Sequence, residues 1–556
     1  MGISGGRVGA AVGAVALLVA VVQVGPTSGR SNQTRAKAPV SVSEVVDLLA
    51  VQTSGGRFVD TAGRDLLLRG VNVNSLGEYW QGVAAIDPVI EVSEADWASM
   101  ASRGFSVVRL IVSWSRIEPS RGAYDDSYLD QVDEAVKAAA SYGIYTVIDM
   151  HQDAFTDTIS TADPSSCPDG TRPAKGWDGA PGWATITDGL SDCLVGGDRN
   201  SSPAVQRAWN NFYDNRDGIR DAFVEMWGHV AERFGGRAEV AGFDLLNEPE
   251  TSRPSAELSP IYNEFLRDVI EEIRQSQSSS SFDTVLIVEP AIPAGDRNNG
   301  LVIPDPSSVG VSTDNVAAGV HNYSESIDNG FTIEGMNELI AGFTESIGVP
   351  NWGGEYGWWD TSADSLAKAR RYAASEDAFR WGGAWWQWRQ SCGDPHHVQW
   401  SGGSLVSPAE DSVHMNRLAC PSNTELGPTS EFMDIVGRGY PRATPGRLVE
   451  LRSDPENGYL KIKAQARRSG GELVVWTPTQ DSPTHRINVQ GLINVVSHEV
   501  AGGRLITATV EEAGTYGLWV GIPDEDLSAP EPPSEGAGEP EATPAQPKAG
   551  TVSYTG

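Results

Sequence analysis

The sequence predicts an α/β protein, a (β/α)8 barrel followed by a C-terminal antiparallel β-sandwich. Two observations predict it. Between about residues 44 and 440, eight apolar, strand-like runs alternate with longer stretches, several of helical periodicity; beyond about Pro441 the pattern changes to short alternating runs.

In chain order, residues 1–29 read as a secretory signal peptide. Arg7 precedes an apolar run from Val8 to Val24, and no acidic residue comes before it. The run approaches the length of a membrane span and no clean Ala-x-Ala site follows, so an uncleaved anchor is the alternative. Residues 30–43 form a polar leader. The eight strand-like runs are Leu66–Asn72, Phe105–Val112, Ile144–Met150, Val240–Leu246, Thr284–Val288, Val316–His321, Asn351–Gly354 and Gly382–Trp386. The clearest helix is Ser127–Tyr142, where Leu129, Val132, Val136 and Ala139 recur at helical spacing and Gly143 ends the run. The longest insertion, roughly Ala154–Asn211, follows the third strand. The sandwich is expected over 441–521, with strands at Arg447–Leu451, Tyr459–Ala464, Glu472–Trp476, Arg504–Val510 and Thr515–Val520. Residues 522–556 are rich in Pro, Glu and Gly and read as a disordered acidic tail.

The formal charge of −33 argues against nucleic acid as a partner, because phosphates would be repelled. Seventeen tryptophans lean towards carbohydrate, since indoles stack on the apolar faces of sugars, although a large barrel also uses tryptophan for packing. Export makes the four cysteines competent for disulfides. Cys167 with Cys193 and Cys392 with Cys420 are the local pairings among three connectivities; a rival reading takes Cys392, His396, His397, His414 and Cys420 as metal ligands.

The chemistry is carried by two strings, Leu245-Leu246-Asn247-Glu248-Pro249 and Gly353-Gly354-Glu355-Tyr356-Gly357. Each places a glutamate just after an apolar strand-like run, at the ends of the fourth and seventh runs. In a barrel of this kind chemistry sits at the C-terminal strand ends. Two carboxylates there are the minimum equipment for cleaving a glycosidic bond, one holding a proton for the leaving oxygen and one ionised towards the anomeric carbon. Asn-Glu-Pro alone is a weak signal, because the same tripeptide makes ordinary strand-to-helix turns. Arg109, His151, His321-Asn322-Tyr323 and Trp386 fall at other strand ends.

This order of Arg109, His151, Asn247-Glu248, His321-x-Tyr323, Glu355 and Trp386 resembles glycoside hydrolase family 5. Within it, Asp149-Met150-His151-Gln152-Asp153, Arg69-Gly70-Val71-Asn72-Val73 and Ser113-Trp114-Ser115-Arg116-Ile117-Glu118-Pro119 resemble the endoglycoceramidases. The resemblance covers about residues 57–521. It implies Glu248 as acid/base and Glu355 as nucleophile of a retaining mechanism, with carboxyls about 5–5.5 Å apart. Arg109 and Tyr323 would donate to Glu355, Asn247 would bind the sugar 2-hydroxyl, and His151 and His321 would position sugar and acid/base. Trp386 would floor the sugar subsite and Asp153 would contact the sugar. Each also has a plainer reading: a structural ion pair for Arg109, satisfied core imidazoles for the histidines, packing for Trp386, a cap for Asp153. Glu78 departs from the pattern, standing where some of these enzymes carry a basic residue that contacts the glycan. The implied substrate is a glycosphingolipid, met at a membrane surface or micelle, with no metal, nucleotide or flavin and no obligate protein partner. The alternatives are a β-glucanase or mannanase, a glucosidase acting on another lipid glucoside such as a steryl glucoside, and, in a different class, a non-catalytic carbohydrate- or lipid-binding protein. Of Trp352, Trp358, Trp359, Trp385, Trp386 and Trp388, two or three are expected to line the site.

Overall fold

The computed structural model describes residues 40–293, 302–327, 330–478 and 486–521. The signal peptide expected at 1–29 and the tail expected at 522–556 lie outside the described residues. Eight parallel strands close into a barrel: β1 (Arg69–Leu76), β2 (Val107–Val112), β3 (Tyr145–Met150), β4 (Val240–Asp244), β5 (Leu286–Val288), β6 (Val316–Gly319), β7 (Asn351–Tyr356) and β8 (Gly382–Trp385). Each pairs with its neighbours in sequence, and β8 closes onto β1 through Gly383↔Arg69, Ala384↔Gly70 and Trp385↔Val71. All eight expected runs overlap a barrel strand. They were legible because a parallel strand is covered on both faces and so reads as a nearly unbroken apolar run; every residue of β2 and β3 is buried. The first run is the exception in detail. Its start, Leu66, ends a different strand (Arg64–Leu66), and β1 begins only at Arg69.

The expected helix at Ser127–Tyr142 is observed over Asp126–Ser141. It starts one residue early because the Asp125 carboxylate accepts from the backbone N–H groups of Ser127 at 2.9 Å and Tyr128 at 3.3 Å, capping the first turn. It buries Tyr128, Leu129, Val132, Val136 and Ala139.

The β-structure beside the barrel draws on both ends of the described chain. A seven-stranded antiparallel sheet contains Tyr440–Pro445, Glu472–Pro478, Gly503–Val510 and Leu492–Val500, and also three N-terminal strands, Val51–Thr53, Phe58–Asp60 and Arg64–Leu66. Arg64–Leu66 joins through the register Ala443↔Leu66. A four-stranded sheet holds Arg447–Asp454, Tyr459–Ala466, Gly514–Val520 and Ile487–Gln490. The segment 51–66, expected within the barrel domain, thus belongs to the sheet that follows it.

A buried ion network joins barrel and sheets. Arg69 at the start of β1 donates to Asp377 at 2.7 Å, and Arg438 donates to Glu376 at 2.6 Å and Asp377 at 2.7 Å. The backbone N–H of Ser453 completes it, donating to Asp377 at 3.0 Å. Close packing is visible at Gly104, where φ is +76° and an added Cβ would lie 2.1 Å from the Trp476 indole. Cys167 pairs with Cys193 and Cys392 with Cys420, the two local pairings. Both sulfurs of the rival Cys/His metal cluster are therefore consumed, and His414 instead accepts from the Gln387 N–H at 3.4 Å; that reading is corrected. Among the described residues no helix is long and apolar enough to cross a membrane.

Candidate active site

The C-terminal ends of the barrel strands bring together Arg109, His151, Asp153, Asn247, Glu248, His321, Tyr323, Glu355 and Trp386. Arg109, fully buried on β2, is the hub. It donates to Glu355 Oε1 (2.8 Å), Asp244 Oδ2 (2.9 Å), Asn247 Oδ1 (2.8 Å), Glu289 Oε1 (3.1 Å) and Asn72 Oδ1 (3.2 Å), and pairs with Asp149 at 3.0 Å. Burial acts to strip its proton, but four carboxylates outweigh it and hold the guanidinium firmly charged. The same burial pushes Asp149 up to about 7 and Asp244 up to about 6 against the pull of Arg109.

Glu355, near the end of β7, is gripped at both oxygens. Arg109 takes Oε1, and the Tyr323 hydroxyl donates to Oε2 at 2.8 Å. Gly354 makes room for His321: a Cβ there would lie 2.7 Å from its Nε2. Glu248 lies beyond the end of β4 with φ +37°, in the sparsely populated left-handed region, and its N–H donates to Glu289 Oε2 at 2.9 Å. His321 bridges the two glutamates: Nδ1 is 2.8 Å from Glu248 Oε1 and 3.6 Å from Glu355 Oε2, and Nε2 is 3.2 Å from Glu289. One atom each of Glu248, His321 and Glu355 lies within 4.8 Å of the other two. Burial would discharge His321, but Glu289, Glu355 and Glu248 hold its proton well above the ordinary histidine range. Burial raises both catalytic-candidate carboxyls. At Glu248 the imidazolium and Arg199 reverse this and leave the group below its usual value; at Glu355 burial and the Glu248 charge keep it above.

His151 is different. Burial pushes it down to about 4, so it is neutral, and Nδ1 lies 2.7 Å from Asp149 Oδ2. With the proton on Nδ1, Nε2 faces the Asn247 amide at 3.5 Å. Its ring stacks on Trp386 at 5.4 Å and 15°. Trp386 packs with Tyr79 and Ile111, with Tyr323 against the same cluster. Asp153 sits 3.1 Å from His396 and is paired with Arg199. Of the six tryptophans near β7 and β8, Trp352, Trp358, Trp385 and Trp388 are buried in the main core. Trp386 faces the site, and exposed Trp359 stacks on Tyr323 at 5.8 Å. Glu78 is half-buried after β1, its N–H donating to Ser113 Oγ at 2.8 Å.

Besides Cys167/Asp192/Cys193, whose sulfurs are joined in a disulfide, two clusters among the described residues have metal-like composition, Glu248/His321/Glu355 and His151/Asp153/Asp178. Each is already threaded by cationic groups, Arg109 and the His321 imidazolium in the first, Arg199 and His396 in the second. These donor sets fit sugar hydroxyls better than a metal ion.

The family model described as Cellulase (glycosyl hydrolase family 5) matches residues 59–391, well over half the chain. The chain belongs to this family. Among solved structures, that of an endogalactoceramidase is 33% identical with a TM-score of 0.75, covering 85% of this chain and 100% of that one. The endoglycoceramidase of Cyanea nozakii is 29% identical over 227 residues, 36% of this chain and 42% of its own length. Endoglycoceramidase I of Rhodococcus hoagii is 28% identical over 203 residues, 36% of this chain and 37% of its own. These alignments span about two fifths of the curated relatives' length.

Within this family 5 barrel, several site residues had escaped the sequence. Asp244 and Glu289 sit at or just past the ends of β4 and β5, where the strand-end rule could have found them. Asn72 lies within β1, in the string Arg69-Gly70-Val71-Asn72-Val73, which assigns it no role of its own; Arg199 lies deep in the long insertion, where no local pattern marks it. The Tyr79 hydroxyl and both Asp178 oxygens are buried with no hydrogen-bond partner among the described residues.

Proposed function

We propose that the protein is a retaining endoglycosidase that hydrolyses the β-glycosidic bond between oligosaccharide and ceramide in glycosphingolipids, with Glu355 as nucleophile and Glu248 as acid/base. The observation that carries the mechanism is the close approach of the two carboxylates, within 4.8 Å at their nearest atoms, with Arg109 and Tyr323 both donating to Glu355. A retaining site needs such a short separation; an inverting one leaves about 6.5–9.5 Å for a water. The likeness to an endogalactoceramidase and to endoglycoceramidases supports the lipid-linked substrate.

In this reading Glu355 attacks the anomeric carbon and Glu248 protonates the departing oxygen. Its lowered proton affinity favours the Glu248 carboxylate, and His321 Nδ1, 2.8 Å away, is placed to supply the proton it needs. Transfer makes Glu248 the acid and leaves His321 neutral, while Glu355 keeps its two donors. In the second step Glu248 is the base for water. Asn247, held by Arg109, is placed to bind the 2-hydroxyl; His151, Asp153 and Trp386 bind the sugar, and Trp386 forms its floor. Exposed Trp359, stacked on Tyr323, would meet the ceramide at a micelle or membrane surface, and the disulfides together with the N-terminal apolar run support export. The test sets a fluorescent glycosphingolipid beside carboxymethylcellulose. Release of intact oligosaccharide and ceramide is expected; cleavage of the polymer alone would make the protein a β-glucanase.

A further inference from the structure

Arg199 belongs to the insertion after β3, in the turn Arg199–Ser201, on the stretch tied back by the Cys167–Cys193 disulfide. Its guanidinium reaches over the Trp177 ring, 5.0 Å from the centroid, and Nη2 meets two carboxylates: Asp153, and Glu248 Oε2 at 3.3 Å. Its neighbour Asn200 anchors the turn by donating to Glu250. Glu248 thus accepts at both oxygens, from His321 at Oε1 and from Arg199 at Oε2. The remaining charged or titratable groups around Glu248 are Glu355 on β7, Glu289 beyond β5, Asp153 and His151 beyond β3, Tyr323 beyond β6, and Glu250 on its own loop. Most of these are acids that disfavour an ionised Glu248. His321 can give its proton away, whereas an arginine cannot. Arg199 is therefore the one permanent positive charge in contact with the Glu248 carboxyl among the described residues.

We propose that Arg199 is a positioning residue of the second half-reaction, aiming Glu248 and holding it as the carboxylate that takes the proton from the incoming water. The inference rests on the two-carboxylate reading above. In that step the water oxygen bonds to the anomeric carbon, one water proton passes to Glu248, and the bond from carbon to Glu355 breaks with its electron pair returning to the Glu355 carboxylate. The first half-reaction needs the opposite state of Glu248, so loss of Arg199 should slow the two steps unequally. The direction agrees with the lowered proton affinity of Glu248 beside Arg199 and His321.

The experiment is rapid mixing of the full chain with 2,4-dinitrophenyl β-lactoside, whose leaving group needs no proton. Arg199→Gln and Arg199→Met remove the charge in two shapes, and Arg199→Lys retains it; melting temperatures check folding. Both neutral variants should show a burst of dinitrophenolate followed by a steady state on the order of tenfold slower than wild type, part of the ~10²–10⁴-fold that a positioned acid/base supplies. The alkaline limb of kcat/KM on glycosylceramide should move to higher pH, and Arg199→Lys should recover most of both effects. A folded neutral variant with no added burst, the wild-type steady state and an unmoved alkaline limb would overturn the inference. If wild type releases no dinitrophenolate, or Glu355→Gln releases it equally fast, the two-carboxylate reading itself fails.

Discussion

At the scale of single residues, the site works by giving each charge a counter-charge that fixes its protonation. Glu355 has a cation and a hydroxyl on its two oxygens, which orient it and offset part of the burial that raises its proton affinity; in the proposed reading it is the attacking carboxylate. Glu355→Gln should abolish turnover while leaving glycolipid binding measurable, and Glu248→Gln should lower kcat on the natural substrate by about 10²–10⁴-fold but much less on an aryl glycoside with an acidic leaving group. Near-normal rates on glycolipid for either variant would remove that carboxyl from the mechanism. His396 offers a stability prediction. Burial acts to lower its proton affinity, but Asp394 and Asp153 outweigh this and raise it from 6.5 to about 9. A histidine raised on folding stabilises fully below its unfolded value near pH 6.5, and that contribution is lost as pH rises through about 9. Thermal melts should therefore fall over this window, and His396→Asn should flatten the fall; an identical pH slope in wild type and variant would show that the network of Asp153, His396 and Asp394 contributes nothing.

At the scale of elements, strand ends and long loops divide the labour. The barrel strands hold Arg109 and Glu355 on buried backbone, while the insertion after β3 and the loop after β8 bring Arg199 and His396 to the two oxygens of Asp153. Lys175 of the insertion donates to the Val398 carbonyl at 2.9 Å, tying the two loops together. The sheets beneath the barrel depend on close approach. Gly104→Ala would force a methyl into the Trp476 indole at a positive φ, and should destabilise the protein by about 1–3 kcal/mol or more without changing KM. Denaturant unfolding measures the first and steady-state kinetics the second; an unchanged midpoint would mean that the sheet and the barrel shift apart at little cost.

At the scale of the whole molecule, the proposed substrate has a polar and an apolar half. In the proposed reading Trp386 and Tyr323 line the sugar side, and Trp359, exposed on the loop after β7 and stacked on Tyr323, extends the aromatic surface. Burying each ceramide methylene contributes about 0.8 kcal/mol, so covering even several favours a lipid aglycone strongly. The expected signature is a much higher kcat/KM on glycosylceramide in detergent than on the matching free oligosaccharide. Equal rates would leave the barrel and its glutamates in place and point to a general β-glucanase.

The sequence by itself determined the barrel, because strands buried on both faces must be apolar along their length and can be counted. It also singled out Glu248 and Glu355 as candidates, since each comes just after such a run, and the local cysteine pairings, since short separations favour them. It placed the first barrel strand three residues early and assigned residues 51–66 to the barrel, because three-residue strands carry no period and a run of leucines at 66–68 spans the boundary between two sheets. Asp244 and Glu289 lie within reach of the strand-end rule, at or just past the ends of β4 and β5. Only the tertiary structure decided that Arg199, 49 residues from Glu248 in sequence, lies against its carboxyl, and which two of six tryptophans leave the core. Contacts made by long loops across a barrel mouth have no local signature: they depend on where chain closure brings the loop, and the loop's own residues look like any polar surface until it does.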